Sequence, residues 1–129
     1  MLIKHLAPAL IWALVILLLC SIPGNQLPET PFWDLFAFDK IAHLVLFMIL
    51  SLLIKVGLLK QHRFALFKYR VNAITLTTSV SYGVLIEILQ GSLFVERYAD
   101  INDMLANALG AALGLLLFKI IYGNCLRNK

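Results

Sequence analysis

Four apolar stretches, each close to the length of a membrane-crossing helix, constrain this chain more than any other feature. A helix needs about 20 mostly apolar residues to cross the hydrocarbon core. The stretches run from about 6–22, 41–59, 71–89 and 104–122. Turn-forming pairs close three of them: Pro23-Gly24, Gly91-Ser92 and Gly123-Asn124. They are too long for strands and do not alternate apolar with polar residues. Composition agrees, because 61% of residues are hydrophobic and only 14% charged, where a soluble domain carries about a quarter. The expected fold is all-α, an integral membrane four-helix bundle made by a single domain over residues 1–129.

The charges give this bundle an orientation. Lys4, Lys55, Lys60, Arg63, Lys68, Arg70, Lys119, Arg127 and Lys129 fall on one side of the four stretches, and only Lys40 and Arg97 fall on the other. Cytoplasmic loops collect Lys and Arg, so both termini and the middle link are expected inside, in a multi-pass protein of the bacterial inner membrane. Lys55 and Lys119 sit near helix ends, where a long stem can snorkel to the interface. The first stretch has a basic start and an apolar centre, like a signal peptide. Leu19 stands where a lipoprotein site takes a small residue, and no A-x-A site follows, so a retained helix is expected. Cys20 and Cys125 are then expected on opposite sides, so a disulfide between them is not expected, and the two show no metal-type spacing. The net charge of +4 comes from short tracts between apolar segments with little aromatic interleaving, so nucleic acid is not an expected partner.

All seven acids, Glu29, Asp34, Asp39, Glu87, Glu96, Asp100 and Asp103, are expected on or near the outer side. The positive-inside bias does not require this, so the grouping points to a site. Asp39 and His43 are four apart and share a helix face. Gly83, Glu87 and Gln90 do the same at the end of the third stretch. Asp100, Asp103 and Asn107 form one stripe at the start of the fourth, which continues through Gly110 and Gly114. Small residues let helices approach closely in lipid, so the polar face is also the packing face and points into the bundle. Charged groups facing lipid are unfavourable, and interior pairing with Lys40, Arg97 or His43 relieves them. Asp39, Glu87, Asp100 and Asp103 against Lys40, Arg97 and a protonated His43 leave one negative charge, which a bound proton or a cation balances.

Each residue also has a plainer reading. Asp39 or Asp100 alone is a helix cap, His43 a satisfied structural histidine, Gln90 and Asn107 interhelical hydrogen-bond partners, and Arg97 an interfacial anchor. Glu29 and Asp34 are solvated loop residues. Thr75, Thr77, Thr78, Ser79 and Ser81 are expected to bond carbonyls of their own helix or a neighbour.

Taken in order, Asp39-Lys40-x-x-His43, Gly83-x-x-x-Glu87-x-x-Gln90 and Arg97-x-x-Asp100-x-x-Asp103-x-x-x-Asn107-x-x-Gly110-x-x-x-Gly114 resemble the VanZ-like family. The resemblance covers roughly residues 39–114, and the first stretch fits by hydropathy alone. It implies a four-helix protein of the bacterial cell envelope, in a family whose founding member is linked to resistance to teicoplanin, a lipoglycopeptide.

Two functions fit the outer cluster. In the first, the site recognises an amphiphile at the outer leaflet, such as a lipid-linked wall precursor or a lipoglycopeptide. Lys40 and Arg97 meet a phosphate or carboxylate, Asp100 and Asp103 orient those cations, and Gln90 and Asn107 supply amide contacts. In the second, a membrane hydrolase or transferase acts on a lipid-borne substrate. Asp39 and His43 form an oriented general base, and Glu87 is a proton donor. His43, Glu87, Asp100 and Asp103 are alternatively ligands of a divalent cation. A transmembrane ion path is disfavoured, because the inner halves of the stretches carry few polar residues beyond the hydroxyls of the third.

Overall fold

The computed structural model of the chain describes residues 2–23, 35–61, 65–93 and 98–127. Four long helices and one short helix account for nearly all of them: α1 Leu2–Cys20, α2 Leu35–Lys60, α3 Ala65–Tyr69, α4 Val71–Ser92 and α5 Ile101–Arg127. Among the described residues there is no strand. Arg70 joins α3 directly to α4. Its N–H donates to the Leu66 carbonyl at 3.0 Å, and its own carbonyl accepts from Ile74 N–H at 2.9 Å.

Three helices are long and apolar enough to cross a membrane: Phe38–Lys60, Val71–Ser92 and Ile101–Gly123. The first expected span is the exception. The apolar stretch of α1, Lys4–Cys20, reaches about 26 Å at 1.5 Å per residue, against ~30 Å of hydrocarbon. It lies alongside the others nonetheless. Trp12 Nε1 donates to the Leu46 carbonyl at 3.0 Å, and Tyr82 Oη donates to the Ala13 carbonyl at 2.6 Å. Gln90 Nε2 donates to the Cys20 carbonyl at 3.3 Å. These bonds run α1 beside α4 in the same direction and against α2, and α5 returns beside α2. The result is an up-and-down bundle.

The bundle turns apolar side chains outward and buries a row of polar ones beside an apolar core. His43, Ser51, Thr75, Ser79, Glu87, Gln90, Asp103 and Asn107 are buried, while Leu10, Ile11, Leu18, Leu85, Ile88, Leu105 and Ile120 are exposed. Water-soluble domains have the reverse arrangement, and an apolar exterior of this extent is a surface for lipid. A core of Ala9, Ile16, Phe47, Leu50, Ile54 and Ile86 ties α1, α2 and α4 together.

Helices α2 and α5 approach most closely, and glycine is the reason. A Cβ at Gly110 would strike the Leu44 carbonyl, and one at Gly114 would strike Ser51 Oγ and the Met48 carbonyl. Small residues at the interface let two backbones come together where lipid supplies no hydrophobic drive for association. This contact sets the register of α5 against α2 and so decides which acid meets which base.

Candidate functional site

The described acids gather at one end of the bundle, as the helical spacing predicts. Position 39 lies in the second turn of α2, because that helix starts at Leu35. Asp39 is therefore not the cap of α2. One turn further in, His43 is buried. Its Nδ1 donates to Asn107 Oδ1 at 2.9 Å and lies 3.8 Å from Glu87 Oε1. Its Nε2 faces Asp39 Oδ1 at 4.0 Å. Three helices thus converge on one imidazole.

Lys40 holds the mouth of the site. Its ammonium donates to Asp100 Oδ2 at 3.2 Å and to Asp103 Oδ1 at 3.3 Å. Asp100 is both a cap and a member of the cluster. Its Oδ1 accepts the backbone N–H of Asn102 at 2.8 Å, which satisfies an orphan donor in the first turn of α5. Its Oδ2 faces Lys40, and its own N–H donates to Glu87 Oε2 at 3.2 Å. The Asn102 N–H bond, with help from Lys40, holds the Asp100 carboxyl below the usual aspartate range.

Burial deepens from mouth to floor. The side chains of Asp39, Lys40 and Asp100 are partly exposed, whereas His43, Glu87 and Asn107 are sealed. Two atoms on the floor lack a hydrogen-bond partner, Glu87 Oε1 and Asn107 Nδ2. One is an acceptor and the other a donor, so the floor offers both halves of a polar contact. Four carboxyl groups stand against one lysine among the described residues. Donor atoms of Asp39, His43 and Asp103 lie within 4.8 Å of one another. This set overlaps the ligands expected from sequence but takes Asp39 in place of Glu87 and Asp100.

A cleft of about 330 Å³ opens beside the cluster. Its lining is mostly apolar, with Leu19, Ile22, Phe38, Val45 and Leu46, and includes the polar Asp39, His43 and Gln90. Sequence reasoning missed this cleft because α1 supplies part of its wall, and the pairing of α1 with α2 leaves no local signal. Gln90 spends its amide N–H on the Cys20 carbonyl, anchoring the end of α1 there. Arg97, expected as a site cation, lies outside the described residues, as do Glu29, Asp34 and Glu96.

The hydroxyls of α4 divide. Thr75 and Ser79 are buried and Thr77, Thr78 and Ser81 exposed. The expectation that they bond helix carbonyls fails for Thr75 Oγ1 and Ser79 Oγ, which have no partner. They lie eight and four residues before Gly83, respectively, on the face that carries Glu87, so they continue the polar stripe inward.

An apolar exterior with a buried acid–imidazole–amide cluster at one end defines a polytopic helical membrane protein with a polar site in its interior. The chain belongs to the VanZ/LLP1 family, whose model matches residues 5–122. That match takes in α1, which the sequence motifs left to hydropathy alone. No curated protein and no solved structure matches the chain.

Proposed function

We propose that the chain is a bacterial cell-envelope protein of the cytoplasmic membrane that recognises an amphiphile at its acidic end. The head group enters the polar cluster, and an acyl chain lies in the cleft beside it. One observation carries this reading: a single cleft is lined both by the apolar Leu19, Ile22, Phe38, Val45 and Leu46 and by the polar Asp39, His43 and Gln90. Ligand sites pair an apolar lining with a few placed polar groups in this way. The positive-inside bias puts the acidic end at the outer leaflet, where a lipid-linked wall precursor or a lipoglycopeptide such as teicoplanin is met. Lys40 is already engaged by Asp100 and Asp103. The excess of carboxyl groups therefore favours hydroxyl- and amide-rich head groups, or a phosphate accompanied by a divalent cation.

The test uses cells with matched membrane levels of wild type, Glu87→Gln and Val45→Trp, scored for sensitivity to teicoplanin. Direct binding of an acylated glycopeptide is measured beside the same compound without its acyl chain. Glu87→Gln changes the polar floor, and Val45→Trp fills the apolar part of the cleft. Loss of the phenotype and of acyl-dependent binding in both variants is expected. Unchanged behaviour in both would sink this reading.

A second reading, a hydrolase or transferase acting on a lipid-borne substrate, is favoured by the proximity of the Asp39, His43 and Asp103 donor atoms. A mixed imidazole and carboxylate set suits a divalent transition ion. Such an ion would polarise a substrate oxygen or bind a water nucleophile. With the Nδ1 proton held by Asn107 Oδ1, the Nε2 lone pair beside Asp39 would serve as the general base.

A further inference from the structure

The opposite end of the bundle carries a second polar cleft that the acidic site does not use. It has a volume of about 280 Å³ and is lined by Lys55, Asn72, Leu115, Phe118, Lys119 and Gly123. Lys55 is only 8% exposed, and its ammonium sits 4.3 Å from the centroid of the Phe118 ring. A cation over a ring face gains part of its lost solvation, but a buried ammonium in a membrane protein calls for an anion.

The chain does not supply one nearby. No Asp or Glu occurs between Asp39 and Glu87, or after Asp103, and these segments build that end of α2, α4 and α5. The start of α4 adds to the positive field. Arg70 at its N-cap position makes no side-chain cap bond, and Asn72 in the first turn lines the cleft. A helix N-terminus directs its first N–H groups and the positive end of its dipole toward an anion. The buried Lys55, a second lysine at Lys119 and Asn72 of the first turn of α4 therefore meet at one cleft. Leu116 and Ile120 flank Lys119 on α5 and are exposed, providing apolar surface for hydrocarbon beside the charged opening.

We propose that this cleft binds the phosphate group of an anionic phospholipid, with Lys55 and Lys119 as its cations and its acyl chains along α5. The same chemistry would accept free phosphate, and the experiment separates the two sources.

Detergent-purified full-length protein is mixed with phosphatidylglycerol, with phosphatidylcholine or with inorganic phosphate, and retained adducts are read by native mass spectrometry. Wild type is expected to keep one phosphatidylglycerol in preference to phosphatidylcholine. Lys55→Met and Lys119→Gln each lower that retention by about fivefold, the effect of one basic residue near a charged lipid. Lys68→Gln, an exposed lysine on α3, leaves it unchanged. Thermal unfolding provides a second readout that does not depend on adduct survival. Phosphatidylglycerol raises the melting temperature of wild type and not of Lys55→Met. Displacement of the lipid by millimolar phosphate would uphold the anion site and assign it to the soluble ion. Equal retention of the two lipids by wild type, or wild-type retention and stabilisation in Lys55→Met, would overturn the proposal.

Discussion

Glu87 Oε2 accepts the backbone N–H of Asp100 at 3.2 Å, so a sealed carboxylate on α4 fastens the start of α5. The same carboxylate leaves Oε1 without a hydrogen-bond partner, 3.8 Å from His43 Nδ1. One oxygen is structural and the other faces the imidazole. Glu87→Gln retains an oxygen for the Asp100 N–H and is expected to keep its fold. Glu87→Leu strips the acceptor from that N–H and costs about 1–3 kcal/mol. Thermal unfolding in detergent measures both; equal destabilisation by the two substitutions would show that charge, not the hydrogen bond, holds α5.

Lys40 bridges Asp100 and Asp103 at 3.2 and 3.3 Å. Lys40→Met leaves two neighbouring carboxylates without their cation and is expected to destabilise the bundle by about 1.5–3 kcal/mol. Combining it with Asp103→Asn removes one of the stranded charges and should recover part of the loss. The double-mutant cycle tests the coupling, and strict additivity would mean that the bridge contributes nothing.

Asp100 gives an acid limb to stability. Its carboxyl is held below the ordinary aspartate value of 3.8, chiefly by the Asn102 N–H and then by Lys40. A depressed folded-state value stabilises the protein above the unfolded value, and that stabilisation is lost as pH falls through the folded one. Wild type should therefore lose melting temperature more steeply below the ordinary value than Asp100→Asn does. Asparagine still caps α5, so parallel curves for the two proteins would remove Asp100 from the acid response.

Gly110 and Gly114 bring α5 against the Leu44 and Met48 carbonyls of α2. Gly110→Val forces backbone separation and is expected to cost about 3 kcal/mol, at the upper end of overpacking effects. Because α5 carries Asp103 and Asn107, the shift also breaks the Lys40 and His43 contacts. A variant that unfolds at the wild-type temperature would show that the two helices do not need this approach.

Metal affinity distinguishes the two readings of the acidic site. If Asp39, His43 and Asp103 act as ligands, stripped protein should take up one zinc or manganese ion per chain in equilibrium dialysis. His43→Ala should lose it, and Lys55→Met, at the other end, should not. Uptake no greater in wild type than in His43→Ala leaves head-group recognition without a metal.

Much of this protein follows from its sequence alone. Apolar runs near the thickness of a bilayer dictate helices, because a backbone in lipid must satisfy its own hydrogen bonds. The helical repeat puts residues four apart on one face, so the stripes Asp39–His43, Gly83–Glu87 and Asp103–Asn107 are legible from spacing, and all are found turned inward. The tertiary structure decided what those stripes meet. The 2.9 Å contact of His43 with Asn107 and the double engagement of Lys40 depend on how far α5 slides along α2, which the close approach at Gly110 and Gly114 determines. The short reach of α1, its docking through Trp12 and Tyr82, and the cleft it completes also depend on packing between distant segments. Periodicity reports only which face of a helix is buried; the partner that buries it is chosen by shape and by hydrogen bonds across helices.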